Sequence, residues 1–419
     1  MTAHVQDRAL GLDAERPALS RCVAGDVDAF AADCWGRQAW LSRAGDLPGS
    51  VADLFGPRAV DELVAERGLR TPFLRVAKNG NTLRDSEFTA GGGVGASVAD
   101  QLSDDRLLRL FADGATMVLQ GLHRTWPPVV EFSQALAAEL GHPVQVNAYV
   151  TPAQSQGFSD HYDVHDVFVM QVQGEKRWMI RPPVHASPLR DEPWTDRRAA
   201  VQRAALEAPL LDVVLSPGDV LYLPRGFLHS ATALGGVSTH LTVGVHTWTR
   251  HAVAEQLVAE ALTLLAADDT SRASLPLGVD VGDPAQMTSV VQEVRAALAR
   301  ALEAVPADGV VGRLDRAASV AQRAAPVRPL AQLAAAETLQ GGSVVALRPH
   351  VRARLEPRDG GAALSSRAGG LVLDGDDEVR CVERLLDGAA VSVGELEQHY
   401  PAARPLLRRL LLAGVLVTR

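Results

Sequence analysis

A chain of 419 residues, 47% of them hydrophobic, is long enough for two or three domains, each with its own core. Its formal net charge of -9 gives no global attraction to nucleic acid, while a basic protein partner is compatible with it. No apolar run is long enough to span a bilayer, and the N-terminal MTAHVQDRALGLDAERPAL lacks the basic-then-apolar order of a secretory signal. The three cysteines, Cys22, Cys34 and Cys381, make a disulfide framework improbable and favour a reducing, cytoplasmic compartment. Lys78 and Lys176 are the only lysines; arginine carries the rest of the positive charge.

In chain order, FAADCWGRQAWLSRAG has helical periodicity, with Phe30, Cys34 and Trp35 on neighbouring turns. SVADLFGPRAVDELVAERG reads as a helix opened by Ser50 or Asp53 and stopped by Gly68. TPFLRVAKNGNTL predicts two strands turning at Asn79-Gly80. The glycines of TAGGGVGAS lack the flanking strand and helix of a phosphate loop and read as a connection. Two helices then flank a short strand, TMVLQGL, and Pro127 and Pro128 open the second helix, where a missing N–H costs little. From Val144 to Trp248 the pattern changes to short β-rich runs (VQVNAYV, DVFVMQV, KRWMIRP, LDVVLSP, DVLYLPR, HLTVGVHTW) punctuated by Gly174 and Pro217-Gly218-Asp219. Such spacing signals a barrel or sandwich.

After Arg250, HAVAEQLVAEALTLLAADD and AQMTSVVQEVRAALARALEAV predict a helical pair that forms an oligomer interface or packs on its own domain. From about Ala325 come strand-like SVVALRP and ARLEP and helices in DDEVRCVERLLDG and SVGELEQHY. A last helix, RPLLRRLLLAG, runs into a terminal strand, the order of a winged-helix-like unit.

The chemistry concentrates in His161-Tyr162-Asp163 and His229. Alternate strand residues share a face, so His161 and Asp163 can reach one ion; PGDVLYLPRGFLH returns a third ligand to a barrel mouth. Two imidazoles and one carboxylate leave positions open on Fe(II) for a bidentate cosubstrate and O₂. Zinc also accepts this set, but no HExxH helix or clear general base accompanies it. A 2-oxoacid needs a cation for its far carboxylate, and Lys176 follows the HxD run after the Gly174 turn. An exposed strand-edge lysine is the bland alternative; Arg177 and then Arg225 are the next cations to consider. Asn147 and Tyr149 share one strand face and either bind cosubstrate, orient a metal ligand or serve as satisfied barrel polars. His165 is expected at the mouth or beside the ligands, and His240 on a strand near His229. Asp160, Asp166 and Asp191 are expected in or near loops that frame the entrance.

NAYVTPAQSQGFSDHYDVHDVFVMQVQGEKRW and PGDVLYLPRGFLHSA…STHLTV closely resemble the JmjC-type ribosomal oxygenases of the cupin superfamily. These are Fe(II)/2-oxoglutarate hydroxylases acting on ribosomal proteins. The resemblance implies an α+β chain whose core is a double-stranded β-helix (a cupin/JmjC jelly-roll). It implies a catalytic domain with an N-terminal α/β extension over residues 1-250, a helical dimerisation region over 251-324 and a winged-helix-like domain over 325-419. It matches His161, Asp163 and His229 to the iron ligands, Lys176 to the cosubstrate cation, and Asn147 and Tyr149 to polar strand positions. The implied reaction hydroxylates an arginine or histidine of a ribosomal protein, with Fe(II), 2-oxoglutarate and O₂, in a homodimer. Two alternatives stand beside it: a hydroxylase of a peptide natural product or small molecule, and a non-catalytic metal-binding cupin with a DNA-binding C-terminal domain.

Overall fold

The structure, a computed structural model, describes residues 15–78, 80–155, 158–367 and 369–419. Asn79 of the expected Asn-Gly turn and residues 1–14 of the N-terminal segment lie outside them. One unit runs through Thr247 and a second begins at Trp248. No helix among the described residues is long and apolar enough to cross a membrane.

The strands of the first unit are β1 (Trp40–Ser42), β2 (Leu74–Lys78), β3 (Asn81–Thr82), β4 (Thr89–Ala90), β5 (Gln101–Leu102), β6 (Thr116–Leu119), β7 (Val144–Thr151), β8 (Asp166–Arg181), β9 (Leu211–Leu215), β10 (Val220–Leu223) and β11 (Leu228–Val245). β4 and β5 pair with each other. The rest form one sheet in the order β1-β10-β8-β11-β7-β6-β2-β3, with β9 also on β8. Every pair is antiparallel. β8 and β11 are long enough to belong to two layers. The first half of β8 pairs with β10 and its second half with β9, while β11 follows it throughout.

This corrects two expectations. KRWMIRP is no separate strand: Gly174 bends β8 instead of ending it. The bend needs glycine, because φ is +61° and a Cβ would stand 2.2 Å from the Val237 carbonyl oxygen. The HxD residues precede β8, with His161 in an isolated bridge to His229.

The near-continuous apolar run of β8 reflects burial on both faces. Phe168 and Met170 join Tyr222, Val243 and Val245 in an outer core with Phe30, Phe132 and Leu136. Val167 and Val169 join Trp178, Ile180, Leu221 and Leu223 in a separate cluster. Helix Pro127–Leu140 covers the outer layer, and its two prolines open it as expected. The helix expected to open at Ser50 or Asp53 begins instead at Pro57, whose fixed φ suits a first turn, and Gly68 does follow its end.

In the second unit, helices Arg250–Ala266 and Pro284–Ala304 occupy the expected segments, and Ala307–Ala321 adds a third. β12 (Val344–Leu347), β13 (Ala353–Arg358), β14 (Gly361–Ser366), β15 (Gly369–Asp374), β16 (Val391–Ser392) and β17 (Leu416–Thr418) follow. They form two sheets, β16-β12-β17 and β13-β14-β15. Helices Gly375–Leu386, Val393–His399 and Ala403–Leu412 supply Cys381, Leu385, Leu396, Leu406 and Leu410 to the core beside β12 and β14.

Candidate metal centre

His161 and His229 are held opposite each other by backbone. The His161 N–H donates to the His229 carbonyl at 3.2 Å, and the His229 N–H to the His161 carbonyl at 2.8 Å. The Asp163 carbonyl accepts from Gly226 N at 3.0 Å, tying the Pro-Arg-Gly bend to the HxD segment. One ligand atom from each of His161, Asp163 and His229 lies within 4.8 Å of the others. His229 Nε2 is 3.7 Å from Asp163 Oδ2.

The hydrogen bonds fix the tautomers. His161 Nδ1 lies 2.7 Å from the Ser159 carbonyl and His229 Nδ1 3.0 Å from that of Phe227. A carbonyl only accepts, so each Nδ1 carries the proton and each Nε2 keeps its lone pair for a metal. Burial, followed by the neighbouring His161, lowers the pKa of His229 to about 4, which keeps it neutral. Burial opposes ionisation of Asp163, yet His165, His229, His161 and Arg75 together hold its pKa below the usual carboxylate value. Two neutral imidazoles and one carboxylate are the donor set of non-haem Fe(II) sites.

The chamber beside these three residues, open to solvent, is lined by Tyr149, Thr151, Lys176, Trp178, Ser230 and His240, among others. Trp178 Nε1, Ser230 Oγ and His240 Nδ1 are buried without a hydrogen-bond partner among the described residues. Buried polar atoms are nearly always paired, so this wall fits a polar occupant as well as a metal. Lys176 is 3% exposed and donates to Thr151 Oγ1 at 3.0 Å. Burial lowers its pKa to about 7. Arg177 is turned away and paired with Asp212 at 2.8 and 2.5 Å.

Tyr149 reaches the chamber; Asn147 instead accepts from Gly121 N at 3.0 Å and braces the turn after β6. His165 stands near Asp163, with its Nδ1 3.3 Å from the Asp166 carbonyl and its ring against His246 at 5.2 Å. The acidic entrance does not form as expected. Asp166 is fully buried, accepting from Tyr222 Oη at 2.7 Å and Arg225 N at 3.0 Å. Asp160 pairs with Arg181 at 2.9 Å; Asp191 is exposed.

Three neighbours carry no sequence signal. Arg75 on β2 lies over the Phe158 ring at 5.2 Å, with Nη2 3.4 Å from Tyr149 Oη. Trp194 stands 6.4 Å from the His161 ring, under the Arg198 guanidinium at 4.9 Å. Tyr162, 1% exposed between the two ligands, donates to the Glu192 carbonyl at 2.9 Å and so anchors the excursion between β8 and β9. Thr151, two residues beyond Tyr149 on the same strand face, was recoverable from alternation.

Residues 126–253 match the JmjC domain family. The chain is 30% identical over 296 residues to Ribosomal oxygenase 1 of Gallus gallus, covering 67% of this chain and 47% of that protein. It is 40% identical over 104 residues to the bifunctional lysine-specific demethylase and histidyl-hydroxylase NO66 of Drosophila persimilis, covering 25% of this chain and 14% of that protein. The chain thus spans less than half the length of these relatives. The crystal structure of Escherichia coli ribosomal oxygenase YcfD matches with a TM-score of 0.53 at 15% identity, over 95% of this chain and 99% of that one. YcfD in complex with cobalt and 2-oxoglutarate matches at 0.54 and 15% identity, over 94% and 98%. At that identity the likeness is one of fold.

Proposed function

We propose that the chain, which matches the JmjC domain over residues 126–253 and resembles the ribosomal oxygenases, is an Fe(II)- and 2-oxoglutarate-dependent hydroxylase of a ribosomal protein. The observation that carries this reading is the convergence of His161, Asp163 and His229 beside a buried cation, Lys176, that meets no carboxylate among the described residues. NO66, by its name a histidyl-hydroxylase, favours histidine as the target; arginine is the other candidate.

His161, Asp163 and His229 hold the metal, oriented by the Ser159 and Phe227 carbonyls. Lys176 takes the distal carboxylate of the oxoacid through a charge-assisted hydrogen bond. Bound together, Fe(II) and 2-oxoglutarate supply the oxidising power: O₂ gives one oxygen atom to the oxoacid, which leaves as succinate and CO₂, and the other to a substrate C–H bond. Val167, Val169 and Trp178 supply the apolar part of the chamber wall. Tyr149 and Arg75 offer hydrogen bonds near the mouth, and Asn147 acts by bracing the wall behind Tyr149.

Residues 1-250 serve as the catalytic domain and 251-324 as a helical dimerisation region in a homodimer. Helices of that region expose Val258, Leu262, Val291 and Val294, which suits pairing with a second copy. Residues 325-419 serve as a winged-helix-like domain. Direct nucleic-acid binding is disfavoured there, since Arg404 and Arg409 are paired with Glu397 and Glu378. A cytoplasmic location agrees with three free cysteines.

The test is mass spectrometry of ribosomal proteins from cells with and without the gene. One peptide should gain about 16 Da, the mass of one inserted oxygen atom, and lose it in cells carrying Asp163→Ala. An unmodified ribosome alongside intact 2-oxoglutarate turnover moves the substrate to a peptide natural product or small molecule.

A further inference from the structure

His240 is 3% exposed on the chamber wall, and neither ring nitrogen is hydrogen-bonded to a described residue; its Nδ1 is fully enclosed. Its ring lies parallel to Tyr149 with centroids 5.0 Å apart and edge-on to Trp178 at 5.3 Å. A phenylalanine would satisfy both contacts without burying unpaired polar atoms, so packing alone does not account for histidine here. His240 and Lys176 both line the chamber, and strand register puts His240 one alternate position from the residue that holds the cation. His240 pairs with Tyr149 and Ser238 with Thr151, the residue that accepts from Lys176 Nζ. Burial, then the charges of Lys176 and His229, holds the His240 pKa well below the usual histidine value. The ring is therefore neutral, with one N–H to donate and one lone pair.

Resting on the proposed 2-oxoglutarate chemistry, we infer that His240 is a second recognition group for the distal carboxylate of the cosubstrate, donating a ring N–H beside the Lys176 ammonium. A carboxylate offers about four acceptor sites. Lys176 and the Thr151 hydroxyl cannot fill them all, and His240 supplies a donor from the neighbouring strand. Its role is selective: it favours a dicarboxylate over a 2-oxoacid that ends in a methyl group.

The experiment is anaerobic calorimetry of the Mn(II)-loaded full chain with 2-oxoglutarate and with 2-oxopentanoate, which lacks the distal carboxylate. His240→Phe keeps the ring stack and removes both nitrogens. It should weaken 2-oxoglutarate about tenfold, leaving 2-oxopentanoate and Mn(II) binding unchanged. His240→Gln, which restores an N–H, should recover part of the loss. Equal weakening of both oxoacids, or unchanged 2-oxoglutarate affinity, overturns the inference. Wild-type protein that binds neither oxoacid overturns the functional reading beneath it. A measurement on the unmodified sequence is independent of any folding defect. In the Zn(II)-loaded wild type, the His240 ring ¹⁵N resonances should shift with 2-oxoglutarate and stay in place with 2-oxopentanoate. Resonances unmoved by 2-oxoglutarate overturn the inference equally.

Discussion

His161 and His229 exchange both of their backbone hydrogen bonds, at 3.2 and 2.8 Å, so the two imidazoles are spaced by main chain before any metal arrives. Their ring centroids are 4.4 Å apart. Bridges of this kind hold Cα atoms about 5.5 Å apart whatever the side chains are. His161→Ala should therefore keep the fold, with thermal unfolding little changed, while Fe(II) affinity measured anaerobically falls at least about a hundredfold, beyond the usual cost of an outer-shell change. Metal binding that survives the substitution would show that the ligand set is wrong.

Removing the buried cation separates cosubstrate from metal. Lys176→Ala should cost about 1.5–3 kcal/mol of 2-oxoglutarate binding, about ten- to a hundredfold, and leave metal affinity intact. Lys176→Arg should retain part of the binding, since both cations pair with carboxylates but differ in reach. Parallel titrations of metal and oxoacid make the distinction; an unchanged oxoacid affinity in the alanine variant moves the cation elsewhere.

Proton linkage gives a third prediction. In the free site burial sets the Lys176 pKa to about 7, and a bound carboxylate favours the ammonium and raises it. Binding therefore takes up a proton above neutrality. Affinity for 2-oxoglutarate should be flat below pH 7 and fall as pH rises beyond it, by up to about tenfold per unit. The groups facing Lys176 stay neutral near pH 7: burial lowers the pKa values of His240 and His229 and raises that of Tyr149. Calorimetry in buffers of different ionisation enthalpy counts the proton, and Lys176→Arg should abolish the uptake.

Asp166 tests the scaffold. Its carboxylate sits fully buried against Tyr222 Oη, Arg225 N and Arg225 Nη1, at 2.7, 3.0 and 3.5 Å. Asp166→Ala strands these donors and should cost about 3–5 kcal/mol in chemical denaturation. Metal affinity should drop with it, because the bend at Arg225 and Gly226 is what presents His229.

The candidate ligands were legible as a set: an HxD run alone says little, but with a histidine after a turn–strand–turn segment it matches what a metal needs, and the fold brings the three together. Lys176 stood out in a chain with two lysines. Arg75 and Trp194 did not, since each comes from a distant segment and looks like any other arginine or tryptophan until the tertiary fold places it. β14 escaped because Gly, Ala and Ser carry little strand propensity, and β15 because its apolar run is only Leu371, Val372 and Leu373. Asp166 was misplaced at the mouth because a carboxylate is ordinarily solvated, and nothing local announced Tyr222 and Arg225 as its partners.

Counting by twos along β8 from Val167 and Val169 leads to Glu175 and Arg177, yet Lys176 and Trp178 line the chamber. Across Gly174 the inward set passes from odd to even numbers. On β11 it passes likewise from His229 and Ala231 to His240 and Thr242, across the register shifts between Leu234 and His240. The bend thus works like a reading frame. One residue inserted or deleted there, with the rest of the sequence untouched, would bring Glu175 or Arg177 inward in place of Lys176. It would change the ligand chemistry of the pocket without a substitution at any residue that lines it.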